Sequence, residues 1–294
     1  IGILLWQGGL IRGAANSPSS LEVTGGNASG DHNDGIRVAG VSNTDQSSTI
    51  TSAGGSITIN GFAGGTAGST YNSGTEVLNG AIIEGPENEE LVVSGTGGIA
   101  TGGHDQGVVV YGASEAGVGA TITSRGGDVT IDGKGGGTGD VGFNRGVAVW
   151  RGGRVTAGEM GDVTVTGVGG NDNGPFNLGV SVAASEADAR ITSSGGDVLI
   201  RGTGQGGPSS SNNRGVEVLW GGVITAGGEG EVTVEGIGGQ GTGGYDHGIL
   251  VFGNRAEGQR STITSNGGIV SISGEGGGTG SADFNTGVVV SAEL

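Results

Sequence analysis

The stretch FNRGVAVW, residues 143–150, decides the fold of this chain. An aromatic residue, an amide, a variable residue and a glycine lead into a run in which Val147 and Val149 alternate with other side chains. Alternation with a period of two is the signature of a β-strand, so both valines are expected to point to one buried face. The same phrase occurs eight times in the 294 residues, which indicates a repeat protein.

The spacing of the phrase is regular. The glycine of these eight phrases, called the unit glycine below, falls at positions 35, 74, 107, 146, 179, 215, 248 and 287, and Gly2 occupies the equivalent place before the first strand. The intervals are 33, 39, 33, 39, 33, 36, 33 and 39 residues, so two units together repeat every 72 residues, or 69 once. Periods of this size are typical of solenoids, propellers and other arrays.

Each unit contains three short strand-like runs. In the unit that begins at Gly146, the aliphatic slots are Val147 and Val149 in the first run, Val155 in the second, and Val163 and Val165 in the third. Glycine pairs such as Gly126-Gly127, Gly152-Gly153 and Gly195-Gly196 separate the runs. We expect these glycines to turn the chain through positive φ angles.

Three strands per unit and glycine corners predict an all-β fold, a parallel β-solenoid with three strands per coil and alternating 33- and 39-residue coils. A propeller blade is the alternative, but blades usually have four strands joined by hairpins. The six extra residues of the long coils are expected at one corner. The predicted single domain covers residues 1–294 as a segment of a longer array, with coils at 2–34, 35–73, 74–106, 107–145, 146–178, 179–214, 215–247, 248–286 and a partial coil at 287–294.

Stacked coils place equivalent residues in columns. A corner column of amide and carboxylate side chains is expected to form a structural ladder of hydrogen bonds: Asn33, Asn72, Asp105, Asn144, Asn177, Asn213, Asp246 and Asn285. Apolar residues that point outward after the first strand form a candidate contact or glycan surface: Trp6, Leu78, Tyr111, Trp150, Leu219, Trp220 and Phe252. Neighbouring corner loops that fold over this column are the competing interpretation.

Charge and composition exclude several partners. The chain has 12 basic and 29 acidic residues, a net charge of −17, and no cysteine. An acidic chain is unsuited to nucleic acid, whose phosphates need a basic surface, and to anionic membranes. No apolar run approaches the roughly 18 residues of a membrane span, so no membrane insertion is predicted. Without cysteine there are no disulfides and no thiolate metal sites.

No cofactor is predicted, although calcium is left open as an alternative. The glycine-rich phrases lack the strand–loop–helix setting of a phosphate loop, and no tandem calcium nonapeptide is found. Acidic residues occupy outward slots as a solvated face, among them Asp128, Asp162, Asp197 and Glu231. The three histidines, His32, His104 and His247, belong to the repeated corner and are interpreted as structural. Because no paired carboxylates of the glycosidase type stand out, the chain is predicted not to be an enzyme.

The phrases TITSRGGDVTI at 121–131 and GVAV at 146–149 resemble repeats of large bacterial surface and secreted β-solenoid proteins, filamentous-haemagglutinin-like or autotransporter-adhesin-like. The resemblance covers essentially the whole chain. It implies export, a long rod, and adhesive or structural work at the cell surface or outside the cell. We therefore predict an extracellular structural protein, a rod segment or filament subunit that associates with itself end to end or laterally. An adhesin shaft that binds glycan or a host surface through the outward aromatics is the alternative, and a polysaccharide-active enzyme is the third.

Overall fold

A computed structural model describes residues 1–15, 17–41, 47–112, 119–185, 187–254 and 258–293. Within these ranges the chain is all-β, and its 25 strands, numbered in chain order, form three parallel sheets. Each coil contributes one strand to each sheet, so the predicted parallel β-solenoid is confirmed. No described stretch forms a helix that is long and apolar enough to cross a bilayer.

The strand bounds follow the repeat. The first sheet contains β1 (Ile3–Trp6), β4 (Ile36–Ala39), β7 (Thr75–Leu78), β10 (Val108–Tyr111), β13 (Val147–Trp150), β16 (Val180–Ala183), β19 (Val216–Leu219), β22 (Ile249–Asn254) and β25 (Val288–Glu293). The second contains β2 (Leu10–Gly13), β5 (Thr49–Ser52), β8 (Ile82–Glu84), β11 (Thr121–Thr123), β14 (Arg154–Ala157), β17 (Arg190–Ser193), β20 (Val223–Ala226) and β23 (Thr262–Ser265). The third contains β3 (Ser19–Thr24), β6 (Ile57–Phe62), β9 (Leu91–Thr96), β12 (Val129–Lys134), β15 (Val163–Val168), β18 (Val198–Thr203), β21 (Val232–Ile237) and β24 (Val270–Glu275).

The core runs along the axis of the solenoid. Strands pair in register with the equivalent strands of the next coil, so Val108 lies beside Val147 and Val147 beside Val180. Val147 and Val149 are completely buried, as the alternation predicts. Each fully buried valine contributes on the order of 1.5–3 kcal/mol relative to an exposed one. The aliphatic slots therefore hold the three sheets together around one continuous apolar column.

The unit glycine is required by close approach between two sheets. A Cβ on Gly146 would lie 2.3 Å from the backbone nitrogen of Val168, at the end of a third-sheet strand. A second glycine inside the third strand faces it, because a Cβ on Gly133 would lie 2.1 Å from the carbonyl oxygen of Gly146. The same two positions are glycine in the neighbouring coils, for example Gly107 and Gly95. These facing glycines let the first and third sheets meet without side chains between them.

The glycine pairs between runs act differently from the sequence prediction. Gly152 does have a positive φ of 87°, but Gly127 and Gly153 do not. A Cβ on Gly127 would lie 2.0 Å from the carbonyl oxygen of Glu89, and one on Gly153 would lie 2.1 Å from that of Val110. The prediction of positive φ is therefore right at Gly152 and wrong at Gly127 and Gly153. Glycine is needed there because the backbone of one coil lies directly against the backbone of the coil before it.

The extra residues of the long coils lie between the first and second strands. Ile122 follows its unit glycine, Gly107, by 15 residues, whereas Val155 follows Gly146 by 9. Both aliphatic residues are completely buried and lie side by side in the second sheet. The core is therefore the same in long and short coils. Most of the inserted corner, at 42–46, 113–118 and 255–257, lies outside the described residues.

Candidate functional site

Two columns of side chains flank the first sheet on its outer surface. The ring column holds the residues three places before each unit glycine: His32, Tyr71, His104, Phe143, Phe176, Asn212, Tyr245 and Phe284. The outer column holds the residues four places after it: Trp6, Ala39, Leu78, Tyr111, Trp150, Ala183, Leu219 and Phe252. The outward side chains of the first sheet form a floor between the two columns.

Every residue of the ring column has a left-handed backbone conformation. Its φ angles lie between 57° and 62°, a region that bulky side chains rarely occupy. Ring contacts accompany this strain. Tyr71 and His104 have ring centroids 4.7 Å apart, His104 and Phe143 4.9 Å, and Phe143 and Phe176 5.0 Å, all stacked. Such pairs contribute about 0.5–1.5 kcal/mol beyond their burial, which offsets part of a backbone cost of similar size.

The amide ladder lies directly behind the ring column. The backbone N–H of Asn33 donates to Oδ1 of Asn72 at 3.0 Å, and the backbone N–H of Asn72 donates to Oδ1 of Asp105 at 3.1 Å. The backbone N–H of Asp105 donates in turn to Oδ1 of Asn144 at 2.8 Å. The link beyond Asn144 includes Asp172, whose Oδ2 accepts from Asn144 Nδ2 at 2.8 Å. These bonds fix the corner that carries the strained ring column.

Two ladder positions hold aspartate instead of asparagine, and both are buried. Burial raises the pKa of Asp105 to about 7, although hydrogen bonds from Asn72 oppose the shift. Burial likewise raises the pKa of Asp246 to about 6 against the bonds from Asn213. Oδ1 of each carboxyl accepts a hydrogen bond from Nδ2 of the preceding asparagine, whereas Oδ2 is buried without a hydrogen-bond partner among the described residues. A protonated carboxyl matches the hydrogen-bonding pattern of the amide that it replaces.

A groove of about 770 Å³ lies between the two columns in the second half of the rod. Its walls come from both columns and its floor from the first sheet. The lining residues are Tyr111, Phe143, Arg145, Trp150, Arg151, Phe176, Ser181, Ala183, Ser185, Arg214, Glu217, Leu219, Trp220, Leu250 and Phe252. Aromatic and aliphatic walls with a few converging polar groups are typical of ligand sites.

Small residues interrupt both columns near the middle of the groove's length. Ala183 occupies the outer column between Trp150 and Leu219, and Asn212 occupies the ring column between Phe176 and Tyr245. Both are small where their neighbours are large. The same coil, from Gly179 to Gly215, has 36 residues instead of 33 or 39. The sequence therefore carried a signal for the site in its one irregular interval.

Hydrogen bonds hold the polar floor of the groove in place. The indole Nε1 of Trp150 donates to Ser181 Oγ at 2.9 Å, and Ser181 Oγ donates to Glu217 Oε1 at 2.7 Å. Arg214 pairs with the other oxygen of Glu217 at 3.1 Å and donates to Asn212 Oδ1 at 2.8 Å. Glu217 is 3% exposed, so its charge is held by these two partners. A chain of bonds thus orients the indole of Trp150 at the groove wall.

Arg145 lies under the wall of the groove. Its guanidinium carbon is 4.3 Å from the ring centroid of Trp150 and 5.6 Å from that of Phe143. Burial lowers the pKa of Arg145 to about 10, the charge of Glu217 raises it, and the charge of Arg214 lowers it. The side chain stays cationic at neutral pH. The groove therefore combines an aromatic wall with buried positive charge in a strongly acidic protein.

Five of the seven residues predicted for a contact surface meet in this groove: Tyr111, Trp150, Leu219, Trp220 and Phe252. Trp6 lies on the same column in the first coil and is half exposed, whereas Leu78 is buried in a small cluster with Val109. Sequence reasoning missed Arg145, Ser181, Arg214 and Glu217. Their positions immediately before the unit glycine or two after it vary in type from coil to coil, so no repeat pattern marks them.

A second cluster of polar side chains lies beside the first sheet, nearer the start of the chain. One potential ligand atom each from His32, Asp34 and Glu76 lies within 4.8 Å of the others. Arg37 contacts both carboxylates, at 3.4 Å from Asp34 and 3.3 Å from Glu76. Burial, then the charge of Asp34, raises the pKa of Glu76 to about 7, while Arg37 opposes the shift. The guanidinium already balances the two acids, so the cluster forms an ion-pair network.

The outward acids form an exposed row beside the third sheet. The backbone N–H of Asp162 donates to Asp128 Oδ1 at 2.9 Å, and that of Asp197 donates to Asp162 Oδ1 at 2.7 Å. Glu231 donates its N–H to Asp197 in the same way, at 2.7 Å. Each carboxylate thus accepts a hydrogen bond from the backbone of the next coil. The row has this structural role whether or not it binds calcium, which stays an open alternative.

Comparison of the chain with known protein families, curated protein sequences and solved structures finds no match. The functional argument therefore depends on the geometry of the groove.

Proposed function

We propose that the chain is the shaft of a surface protein and binds a carbohydrate in its groove. The observation that carries this proposal is the 770 Å³ groove in which outward aromatics meet a hydrogen-bonded polar floor. Sugar rings present an apolar C–H face and a rim of hydroxyl groups. Trp150, Tyr111 and Phe252 suit the face, and Ser181 and Glu217 suit the hydroxyl rim.

The direction of the groove supports an extended ligand. From Tyr111 to Phe252 the outer column crosses four coil steps. At about 4.8 Å per step this is about 19 Å, the length of an oligosaccharide lying along the rod. Among the described residues that line the groove, Glu217 is the one carboxylate, whereas glycoside hydrolysis uses two. The arrangement therefore favours binding over cleavage.

The test is calorimetric titration of the full chain with a panel of neutral and acidic oligosaccharides. Replacing Trp150 by alanine removes the central wall of the groove, and we expect affinity to fall at least about tenfold. Trp6→Ala is the matched control, because Trp6 occupies the same column outside the groove. Absence of binding to the whole panel would contradict the proposal, as would equal losses in the two variants.

A second proposal, a rod segment or filament subunit outside the cell, is supported by the unbroken pairing of the nine strands of the first sheet. Two copies could continue the same ladder from one chain to the next. The resemblance to bacterial surface repeats supports the extracellular location. Electron microscopy of purified material tests assembly: fibres with an axial repeat near about 40 Å are expected for eight coils. Short single rods at all concentrations would rule out end-to-end assembly.

A further inference from the structure

Arg145 is a buried cation that lacks a matching anion. The residue is 8% exposed, and its Nε is buried without a hydrogen-bond partner. Its Nη1 donates a long hydrogen bond, of 3.4 Å, to the carbonyl oxygen of Phe143. Among the described residues, no carboxylate lies within ion-pair distance of this guanidinium. The edge of the guanidinium that carries Nε and Nη2 therefore has no acceptor within the described chain.

The nearby acid does not fill this role. Glu217 is engaged by Arg214 through one oxygen and by Ser181 through the other. A buried charge without a partner is costly, and stacking on Trp150 offsets only part of that cost, about 1–2 kcal/mol. The protein is strongly acidic, yet within the described ranges no carboxylate forms an ion pair with Arg145. The position is therefore suited to an anion that arrives with a ligand.

We propose that the ligand of the groove is an acidic sugar whose carboxylate pairs with Arg145 while its ring lies against the aromatic wall. The inference rests on the proposed carbohydrate-binding function. A planar guanidinium edge matches the two oxygens of a carboxylate, which favours a uronic acid over a neutral sugar. In a uronic acid the carboxylate is bonded directly to the ring, and here Arg145 lies 4.3 Å from the Trp150 ring centroid. The guanidinium of Arg145 and the aromatic wall are therefore close enough to contact the carboxylate and the ring of one sugar unit.

The experiment compares each uronate with its own neutral ester. The full chain is titrated with oligogalacturonate and oligomannuronate, and with the same oligosaccharides after methyl esterification, which removes the charge and keeps the ring. We expect the acids to bind at least about tenfold more tightly than the esters, as a charge-assisted hydrogen-bonded pair predicts. Sulfated oligosaccharides form a third arm that distinguishes a carboxylate preference from a general preference for anions.

Three variants assign the preference to Arg145. Arg145→Gln should bind acid and ester equally, because it lacks the positive charge and the planar pair of N–H donors of the guanidinium. Arg145→Lys should keep a reduced preference for the acid, since it retains the charge without the planar fork. Lys134→Gln removes one exposed positive charge from the third sheet and should change nothing. We expect Arg145→Gln to unfold at no lower temperature than the wild type, because it removes an unpaired buried charge.

The outcomes separate the two proposals. Binding of acids and esters with equal affinity would overturn the acidic-sugar inference and leave carbohydrate binding in place. A preference for acids that survives in Arg145→Gln would also overturn it. Tighter binding of sulfated than of uronic oligosaccharides would overturn the preference for a carboxylate and indicate a sulfate ligand instead. If the wild-type chain binds neither acids nor esters, the proposed function fails, and the inference fails with it.

Discussion

At the scale of single residues, the unit glycine is repeated because a backbone contact between two sheets requires it in every coil. Both the sequence and the structure place it at the start of the first strand. The reason for glycine could not be read from the sequence, because it depends on atoms of a different sheet. A Cβ on Gly146 would lie within 2.3–2.8 Å of backbone atoms of Val168, Gly179 and Gly133. Backbone atoms cannot move aside as a side chain can.

Replacing Gly146 by alanine is therefore expected to cost about 3 kcal/mol or more in the free energy of unfolding. Gly30→Ala is the control, because a Cβ there meets nothing within 4 Å and the residue has no positive φ. Urea unfolding of the two variants against the wild type measures the difference. Similar midpoints for the two variants would show that the sheets move apart at low cost and would contradict the close-approach argument.

The amide ladder carries a pH dependence at Asp105. Its pKa in the folded chain is about 7, above the usual value of 3.8. As pH rises from about 4 to about 7, the unfolded chain loses this proton and the folded chain keeps it, so stability falls and then levels off. Asp105→Asn removes this loss and can donate through Nδ2 as Asn33 does to the corner backbone.

We expect Asp105→Asn to be more stable than the wild type above about pH 7, by on the order of 2 kcal/mol, with the gain shrinking toward about pH 4. Unfolding midpoints measured across this range provide the test. Asn72→Asp adds a carboxylate to the same ladder and serves as the opposite variant, which should lose stability as pH rises. A gain for Asp105→Asn that is constant with pH would mean that protonation of Asp105 is not the cause.

At the scale of elements, the groove runs along five coils, with the 36-residue coil from 179 to 214 in the middle. The sequence predicted three strands per coil, the buried aliphatic slots and the outward column, because all of them repeat. The groove could not be predicted, since it depends on which side chains lie beside one another in five successive coils. Ala183 and Asn212 are unremarkable as single residues and matter only because large side chains lie on both sides of each.

Filling the gap at Ala183 should restore the regular column and close the groove. We expect Ala183→Leu to reduce oligosaccharide affinity at least about tenfold, with thermal stability unchanged or slightly raised because more apolar surface is buried. Ala39→Leu is the matched control: Ala39 pairs with Trp6 and Leu78, as Ala183 pairs with Trp150 and Leu219. Unchanged affinity in Ala183→Leu would place the ligand elsewhere.

At the scale of the whole molecule, the net charge of −17 opposes association between copies of the chain at neutral pH. The acidic row at Asp128, Asp162 and Asp197 faces solvent beside the third sheet, where sideways pairing would otherwise begin. The fold could be predicted from the repeat period and the composition, because every coil has the same pattern of aliphatic residues and glycines. The cellular location and the ligand could not be predicted in this way, since neither depends on the residues that repeat.

We expect rods to associate laterally as the pH approaches 4.3, where the net charge vanishes. Light scattering should report growing particles in that range and single rods near neutral pH. Adding salt at neutral pH should cause a smaller increase in particle size, because at 0.1 M salt the repulsion between exposed charges is screened beyond about 10 Å. Particle size that does not change with pH would show that surface charge is not what separates the rods.

The parallel pairing of each coil with its two neighbours has a consequence for inheritance. A coding sequence built from structurally equivalent modules, most of them 72 residues long, can gain or lose one of them by recombination. The strands on either side of the change would still meet equivalent partners, as Val108, Val147 and Val180 do now. The length of the rod is then a quantity that a lineage can adjust one copy at a time. The groove, which spans the 36-residue coil and two coils on either side of it, would be carried outward or inward intact.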